Sequence, residues 1–489
     1  MKMKFKHIVV VLAVFMQVSC NDWLELLPPG GLIREEFWKT KEDVEAALMG
    51  AYDAMARLDG LFFIFGEVRA DMVKGDVNQS DEQRRISQNN IYPENGMANW
   101  DRFYQVINYC NEVIKNAPLV QQIDNTFTDY QLKGLMAEAY FLRSLSYFYL
   151  VRIYKDVPLV LEPTESDDTD FYLPKSDEAV VLAQITKDLE ENRNFAIAEG
   201  YATLAEIKGR ASKAAFDALL ADIALWSFDY EKVLQHIARI EANREIVLMP
   251  AGKWFEMYYP GNSLESIFEF QYDQSKSQNN SLYDLTQRLS YNYDPSQRAL
   301  EMFARRYARE LVRGEDVSIR RYSDEDYIIW KYVGTAPDGN TTRTGTLQRS
   351  ANWIVYRLAD VYLMKAEALS QSGRFNEAMQ YINIIRDRAD VGPLALPNSA
   401  SAFEDAILDE RALELAFEGK RWFDLLRMGR RNNFARKEKL IEIIVRNVPS
   451  TQKRILAVKL TNPLGWYMPI FDRELERNSN LVQNPYYNL

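Results

Sequence analysis

DYQLKGLMAEAYFLRSLSYFYLVRIY, residues 129–154, decides the fold class. Leu135, Ala139, Leu142, Ser146, Tyr149 and Ile153 recur at the spacing of one helix face. Met136, Tyr140, Tyr147 and Leu150 widen that stripe over most of the girth, so the helix belongs in a core rather than on a surface. Upstream, Thr40 followed by Asp43 predicts a capping box opening a helix through Arg57. A helix from about Asp101 to Asn116 should stop at Pro118. Between them, residues 59–99 carry Gly60, Gly66, Gly75, Pro93 and Gly96 and read as loop. Downstream, a helix is expected from Asp177 to about Phe195. The helical period returns over 353–371, 374–389, from Ser401 onward, and more weakly near 434–447.

The rare residues narrow the chemistry. The 489-residue chain holds two His and two Cys, and His7 and Cys20 lie in or beside the N-terminal segment. Only Cys110 and His236 remain for the body, which excludes multi-His zinc centres, zinc-finger spacing and a body disulfide. Cys110 is expected as a small buried hydrophobe rather than a nucleophile partnered by His236. Asp76, Asn78 and Ser80 occupy the first, third and fifth places of a calcium-loop pattern. Asp81 stands where that loop needs Gly, and Ser87 where it needs a bidentate Glu, so no metal is expected. Formal charge is -11, and no Lys/Arg block exceeds four residues, so no nucleic-acid partner is expected.

The N-terminus reads as an address. Lys2, Lys4 and Lys6 precede an apolar run from Ile8 to Met16, too short for the roughly 20 residues that cross a bilayer. Ser19-Cys20 resembles a bacterial lipoprotein cleavage box, in which the Cys is lipidated and becomes the new N-terminus. Loss of residues 1–19 removes three Lys, leaving 56 basic against 70 acidic residues, about -14.

Two later helix pairs carry a packing pattern of the tetratricopeptide type. In one, Ala366, Leu369, Gly373, Phe375, Ala378 and Ile382 take its positions. In the other, Ala221, Ala224, Phe228, Tyr230, Val233 and Ile237 match more loosely, with Phe228 at the turn Gly. Their offset of 145 residues is not a multiple of the ~34-residue repeat, so the pairs are scattered along the chain. Between them, residues 243–352 read as a long, partly irregular insertion, with strands expected at Glu265–Gln271 and Tyr327–Val333.

Four stretches then resemble the SusD/RagB family of outer-membrane nutrient-binding lipoproteins. They are AEAYFLRSLSYFYLVR (137–152) with DVPLV (156–160), YRLADVYLMKAEA (356–368), ERALELAFEGKRWFDLLR (410–427), and MPIFDRELERNSN (468–480) with QNP (483–485). The resemblance implies a mainly α, SusD-like helical fold with scattered tetratricopeptide-type pairs and a large loop-rich insertion holding few short strands. It implies a signal peptide over 1–19 and one SusD-like domain over 20–489. The helical framework would cover about 40–242 and 353–447, and the insertion about 243–352. Such proteins sit on the outer membrane through a lipid anchor, here Cys20, with Asp22 and Glu25 close behind it for display at the cell surface. They take up glycans for polysaccharide utilization or, in the RagB-like branch, peptides. They hand the ligand to a SusC-like TonB-dependent transporter. They are not enzymes, so the resemblance implies no catalytic residue and no cofactor. A tetratricopeptide-type scaffold that binds only protein segments is the alternative. The motif charges Arg357, Asp360, Glu410, Arg411, Arg421 and Asp424 are expected to pair with one another in the core rather than to bind ligand.

An oligosaccharide offers apolar C–H faces and hydroxyls, which suit aromatic rings and short polar side chains on loops. Two regions qualify. The first, 71–100, contributes Asn78, Asp81 and Tyr92, with Gln79 beside them and Trp100 expected to pack inward. The second, 279–332, contributes Tyr291, Tyr293 and Trp330, with Tyr283 and Tyr332 nearby. Trp330 and Tyr332 alternate and would share a strand face.

Overall fold

The structure is a computed structural model that describes residues 37–164, 172–196, 203–287 and 292–488, apart from 307, 309 and 325. The proposed signal segment and Cys20 lie outside the described residues, as does Tyr291. The framework comprises, in chain order, α1 (Lys41–Ala56), α2 (Asp81–Ser87), α3 (Asp101–Ile123), α4 (Asp129–Tyr154), α5 (Glu178–Asn192), α6 (Leu204–Gly209), α7 (Lys213–Trp226) and α8 (Tyr230–Glu241). After the insertion come α9 (Leu358–Gln371), α10 (Phe375–Arg388), α11 (Ala400–Glu414), α12 (Arg421–Phe434), α13 (Lys437–Val445) and α14 (Ser450–Leu460). Six short strands, β1 (Val73–Gly75), β2 (Ser266–Phe270), β3 (Tyr293–Pro295), β4 (Ile319–Arg321), β5 (Tyr327–Ile329) and β6 (Trp353–Arg357), pair as three antiparallel ribbons, β1–β3, β2–β6 and β4–β5.

The caps are where the sequence puts them. Thr40 and Thr128 each accept from the third-residue amide in full capping boxes, so α1 and α4 start as read. Every residue of α4 from Phe141 to Tyr154 is buried, as its all-round apolar girth requires. The helix α3 runs past Pro118 to Ile123, contrary to the expected stop. Cys110, Val113, Ala117 and Val120 form one continuous buried face there. Packing on α1 and α4 thus outweighs the one hydrogen bond that the proline removes.

Helices pack in series: α1 on α3, α3 on α4, α4 on α5, α5 on α7, α7 on α8, α8 on α9, and α9 on both α10 and α11. The two tetratricopeptide-type pairs, α7–α8 and α9–α10, are therefore scattered in sequence but adjacent in space. The β2–β6 ribbon explains this. It closes the insertion at its base, so the chain leaves α8 and returns beside it at α9. Ala221, Val233, Ile237, Ala366, Leu369, Ala378 and Ile382 are all fully buried between the helices. Gly373 turns at φ +75°, and Phe228 adopts the same left-handed conformation at φ +64°, a strained choice for a residue with a side chain.

Two other expectations are corrected. Residues 353–357 are a strand, not the first turn of a helix. WIVYR is aromatic and β-branched and buried on both faces, which favours extended backbone. Residues 59–99 are only partly loop: a helical turn at Asp59–Phe63 and a π-turn at Ile64–Val68 drive Phe62, Phe63, Ile64 and Phe65 into the core. Phe62 stacks on Tyr149 at 4.3 Å. Gly66 has a purpose here, because a Cβ at that position would overlap the Gly419 carbonyl. Gly66→Ala is expected to cost about 2 kcal/mol by overpacking. The check is the urea midpoint: an unshifted midpoint would mean the two turns can part freely.

Candidate ligand-binding face

The β1–β3 ribbon brings the two loop regions together. Val73 pairs with Pro295, Lys74 with Asp294 and Gly75 with Tyr293, and Asp76 N–H donates to the Asn292 carbonyl at 3.0 Å. β5 packs against β3, so the 76–95 loop, residues 292–295 and the β4–β5 ribbon share one edge of the framework.

On that edge, Ser80 opens α2 with a capping box completed by Gln83. The cap positions Asp81, whose carboxylate is gripped by Arg84 and, at 2.6 Å, by Arg85 Nε. These guanidinium hydrogen bonds hold Asp81 below the usual carboxylate range. Arg85 in turn lies 4.9 Å from the Tyr92 ring centroid. Tyr92 remains 43% exposed. Asp81, Glu82, Arg85, Tyr92, Glu94 and Asn95 line a cleft of about 400 Å³. Glu82 is fixed by the Gly96 N–H at 2.9 Å, and Asn95 Nδ2 donates to the Glu82 carbonyl at 3.1 Å. Asn78 is exposed on the turn leading into α2. The cleft thus offers a ring steadied by a cation, ringed by carboxylate acceptors.

Behind it, Asp294 sits largely out of water beside the Asp76 carboxylate. Burial and that neighbour push its pKa up to about 7, against a weak pull from Lys74 at 3.9 Å.

The structure separates the other two described ring residues from this surface. Tyr293 is fully buried, its ring edge-on to Phe63 at 5.8 Å. Trp330 is 4% exposed, donates Nε1–H to Thr335 Oγ1 at 3.0 Å, and is covered by Arg320 at 4.5 Å. β5 ends at Ile329, so Trp330 and Tyr332 share no strand face; Tyr332 stacks on Trp353 at 5.5 Å instead. Neither Tyr293 nor Trp330 presents a ring face to solvent. Each is apolar enough to be taken into the core that carries the loops. Trp100 packs inward as expected, edge-on to Tyr154 at 5.3 Å.

A second concavity of about 650 Å³ lies between α1, α6 and the 270–279 segment, with Met49, Asp53, Arg57, Gln271, Tyr272 and Gln278 on its walls. Sequence reasoning passed over it. Its walls come from three distant segments, and the amphipathic face of α1 looks the same whether it meets a helix or a cavity.

The lone body cysteine is buried as expected, and the motif carboxylates are engaged by arginines. Burial pushes the Cys110 thiol up to about 12. Glu410 is held by Arg313 at 2.6 Å and Arg386 at 3.0 Å, and Asp424 by Arg411 at 2.8 Å and Arg427 at 2.9 Å.

Comparison with known proteins agrees with this architecture. Residues 22–225 match a family model described as starch-binding associating with outer membrane, and residues 312–487 match the SusD family model. SusD-like protein P38 of Formosa agariphila is 28% identical over 99% of this chain and 100% of its own. A SusD-like protein of Bacteroides ovatus is 25% identical, covering 87% of this chain and 82% of its own. Among solved structures, a SusD superfamily protein from Bacteroides vulgatus superposes with a TM-score of 0.76 at 20% identity, over 92% of this chain and 100% of that one. A laminarin-binding SusD-like protein superposes with a TM-score of 0.69 at 23% identity, over 92% and 100%. With both halves matched by family models and full-length relatives on either side, this chain belongs to the SusD-like family.

Proposed function

We propose that this protein is a cell-surface lipoprotein, anchored through Cys20 to the outer membrane. It binds a glycan and passes it unchanged to a SusC-like TonB-dependent transporter. The observation that carries the reading is the half-exposed Tyr92 ring, steadied by Arg85 and bordered by Asp81, Glu82 and Glu94 in a cleft of sugar size. The N-terminal match to a starch-binding family and the likeness to a laminarin-binding protein favour a glycan over a peptide. Asn78, Asp81, Tyr92 and Tyr291 form the proposed contact set, and Tyr293 supports it from beneath. The domain plan is one SusD-like unit over 20–489, and no helix among the described residues is long and apolar enough to cross a membrane.

The test is a glycan-array screen with starch and laminarin oligosaccharides included, followed by calorimetry on the best ligand. Tyr92→Ala is expected to weaken affinity about ten-fold, the scale of one aromatic contact worth roughly 1–2 kcal/mol. Asp81→Asn should weaken it less, and no new reducing ends should appear on prolonged incubation. Affinity untouched by Tyr92→Ala would move the site elsewhere; ligand turnover would end the carrier reading.

A further inference from the structure

The polar walls of the Tyr92 cleft accept hydrogen bonds and have few left to give. Asp81, Glu82 and Glu94 are carboxylates, acceptors only, and all three are exposed. The donors beside them are mostly spent. Arg84 and Arg85 both bond Asp81. Asn95 Nδ2 donates to the Glu82 carbonyl at 3.1 Å, and the Gly96 N–H donates to Glu82 Oε1 at 2.9 Å. What remains is the Tyr92 hydroxyl and the outer fork of Arg85, whose charge Asp81 already answers.

Charge follows the same line. Glu82 and Glu94 have no cationic partner among the described residues, and a third segment adds to them. The Asp472 N–H donates to the Pro93 carbonyl at 3.1 Å, so the short helix Asp472–Arg477 meets the loop that carries Tyr92. Burial pushes the Asp472 carboxyl up, and the charges of Glu94 and Glu476 push the same way. Glu474 takes Arg477 at 3.4 Å, but Asp472 and Glu476 have no ion pair among the described residues. The cations on this side are fewer and turned to other partners. Lys459 bonds Asn90, Arg473 stands 5.8 Å from the Phe471 ring centroid, and Arg69 is buried over Trp422.

We propose that this cleft sorts glycans by charge: it takes uncharged sugars, whose hydroxyls donate to its carboxylates, and turns away those bearing uronate or sulfate groups. The inference deepens the carrier reading and rests on it. An ionised uronate or sulfate oxygen has no hydrogen to give, so against Glu82 or Glu94 it replaces water with a like charge. Sugar hydroxyls meet the same oxygens as donors. The Tyr92 ring by itself carries no such preference, because neutral and acidic sugars offer it similar C–H faces. Selection therefore comes from what the walls repel as much as from what the ring attracts.

The first measurement needs no ligand. In the chain from Asn21 to Leu489 the remaining thiol, Cys110, is buried, so Tyr92→Cys supplies one reactive thiol at the cleft. Its rates with a trimethylammonium methanethiosulfonate and with the sulfonate analogue are compared with those of mercaptoethanol. At about 0.01 M salt the cationic reagent should be favoured about ten-fold beyond the free-thiol ratio, and at about 1 M the preference should collapse. Adding Glu94→Gln with Asp472→Asn should cut the preference to about three-fold. A ratio near that of the free thiol, or one indifferent to salt and to these variants, overturns the proposal. The second measurement is calorimetry on the unsubstituted chain. The probes are laminarihexaose and maltohexaose, and each with its primary hydroxyls replaced by carboxylates or by amines. Both derivatives lack the hydroxyl, so comparing them isolates charge. At low salt the amine form should bind at least about ten-fold more tightly than the carboxylate form. Equal binding, or preference for the carboxylate, overturns charge selection alone and leaves the carrier reading standing. A cation-favouring thiol with no oligosaccharide of any charge bound would sink the carrier reading, and glycan sorting with it.

Discussion

Arg357→Met is expected to cost about 3–5 kcal/mol, the scale of stranding buried carboxylates without their cation. Arg357 closes β6, and its guanidinium is fully enclosed. Nη1 lies 2.8 Å from Glu265 and 2.5 Å from Glu414, and Nη2 lies 2.8 Å from Glu418. Lys331 meets Glu418 at 2.7 Å, Arg388 reaches Glu265 at 3.1 Å and also grips Glu414, and Arg313 lies 3.3 Å from Glu414. These cations hold the Glu414 carboxyl far below the usual range despite complete burial. The network joins β6, the residue before β2, Arg313, Lys331 two residues past β5, α10, α11 and the turn after it. It therefore welds the insertion to the helical framework, and a marginally stable fold has little margin to lose it. The measurement is the urea midpoint with near-ultraviolet circular dichroism. Adding Glu414→Gln to Arg357→Met should recover part of the loss, because one uncompensated charge is removed. A loss below about 1 kcal/mol, or no recovery, would show that the carboxylates find other partners or water.

That network also marks how far the sequence could be read. The charges on the predicted core-facing helices, Arg357, Asp360, Glu410, Arg411, Arg421 and Asp424, announce buried ion pairs by their place in apolar stretches. Their partners do not announce themselves. Arg411 does meet Asp360 at 3.0 Å and Asp424, but Arg357 takes Glu265, Arg421 takes Asp71 at 2.7 Å, and Glu410 takes Arg313. Asp71 and Arg313 lie in segments that read as loop, and Glu265 opens an expected strand of the distant insertion. Sequence periodicity fixes which face of a helix is buried, but not what a distant loop lays against it. The same limit explains WIVYR at 353–357. A short apolar run is ambiguous between strand and helix until its pairing partner, here β2, is known.

The candidate face was legible by composition and misleading in detail. Loops rich in Tyr, Trp and short polar residues do converge, because β1 and β3 pair. Yet an aromatic ring in a loop is drawn both to solvent-facing ligands and to the core, and sequence carries no sign of which wins. Tyr92 follows α2 by five residues and stays out, covered on one side by Arg85. Tyr293 sits within the strand that anchors the loop, and the alternation of that strand turns its side chain inward. Asp294, its neighbour, points the other way toward Asp76.

Glu67 should make this protein less stable as pH rises through neutrality, and Glu67→Gln should flatten that dependence. Glu67 is wholly buried where the π-turn meets the 417–420 turn. Oε1 accepts from the Gly419 N–H at 2.9 Å and the Lys420 N–H at 3.2 Å, while Oε2 has no hydrogen-bond partner among the described residues. Burial dominates, pushing the pKa from 4.5 up to about 8 even though the two amides and Arg421 pull it down. In the unfolded chain the carboxyl ionises near 4.5. Between those values the folded protein holds a proton that the unfolded chain has released. The stability that the protonated form contributes is complete below the unfolded pKa. It is lost at up to about 1.4 kcal/mol per pH unit as pH rises toward 8, on the order of 5 kcal/mol in all. Asp59, raised to about 6 by burial, and Asp294, raised to about 7, slope the same way. The variant line should therefore be shallower than the wild-type line, not flat. Gln keeps the oxygen that the two amides need, so the comparison is one of slopes across pH rather than of absolute stability. Urea midpoints from about pH 5 to about pH 8 supply both lines. Parallel lines would mean that water or a shifted turn solvates the carboxylate, and that Glu67 is charged in the native protein.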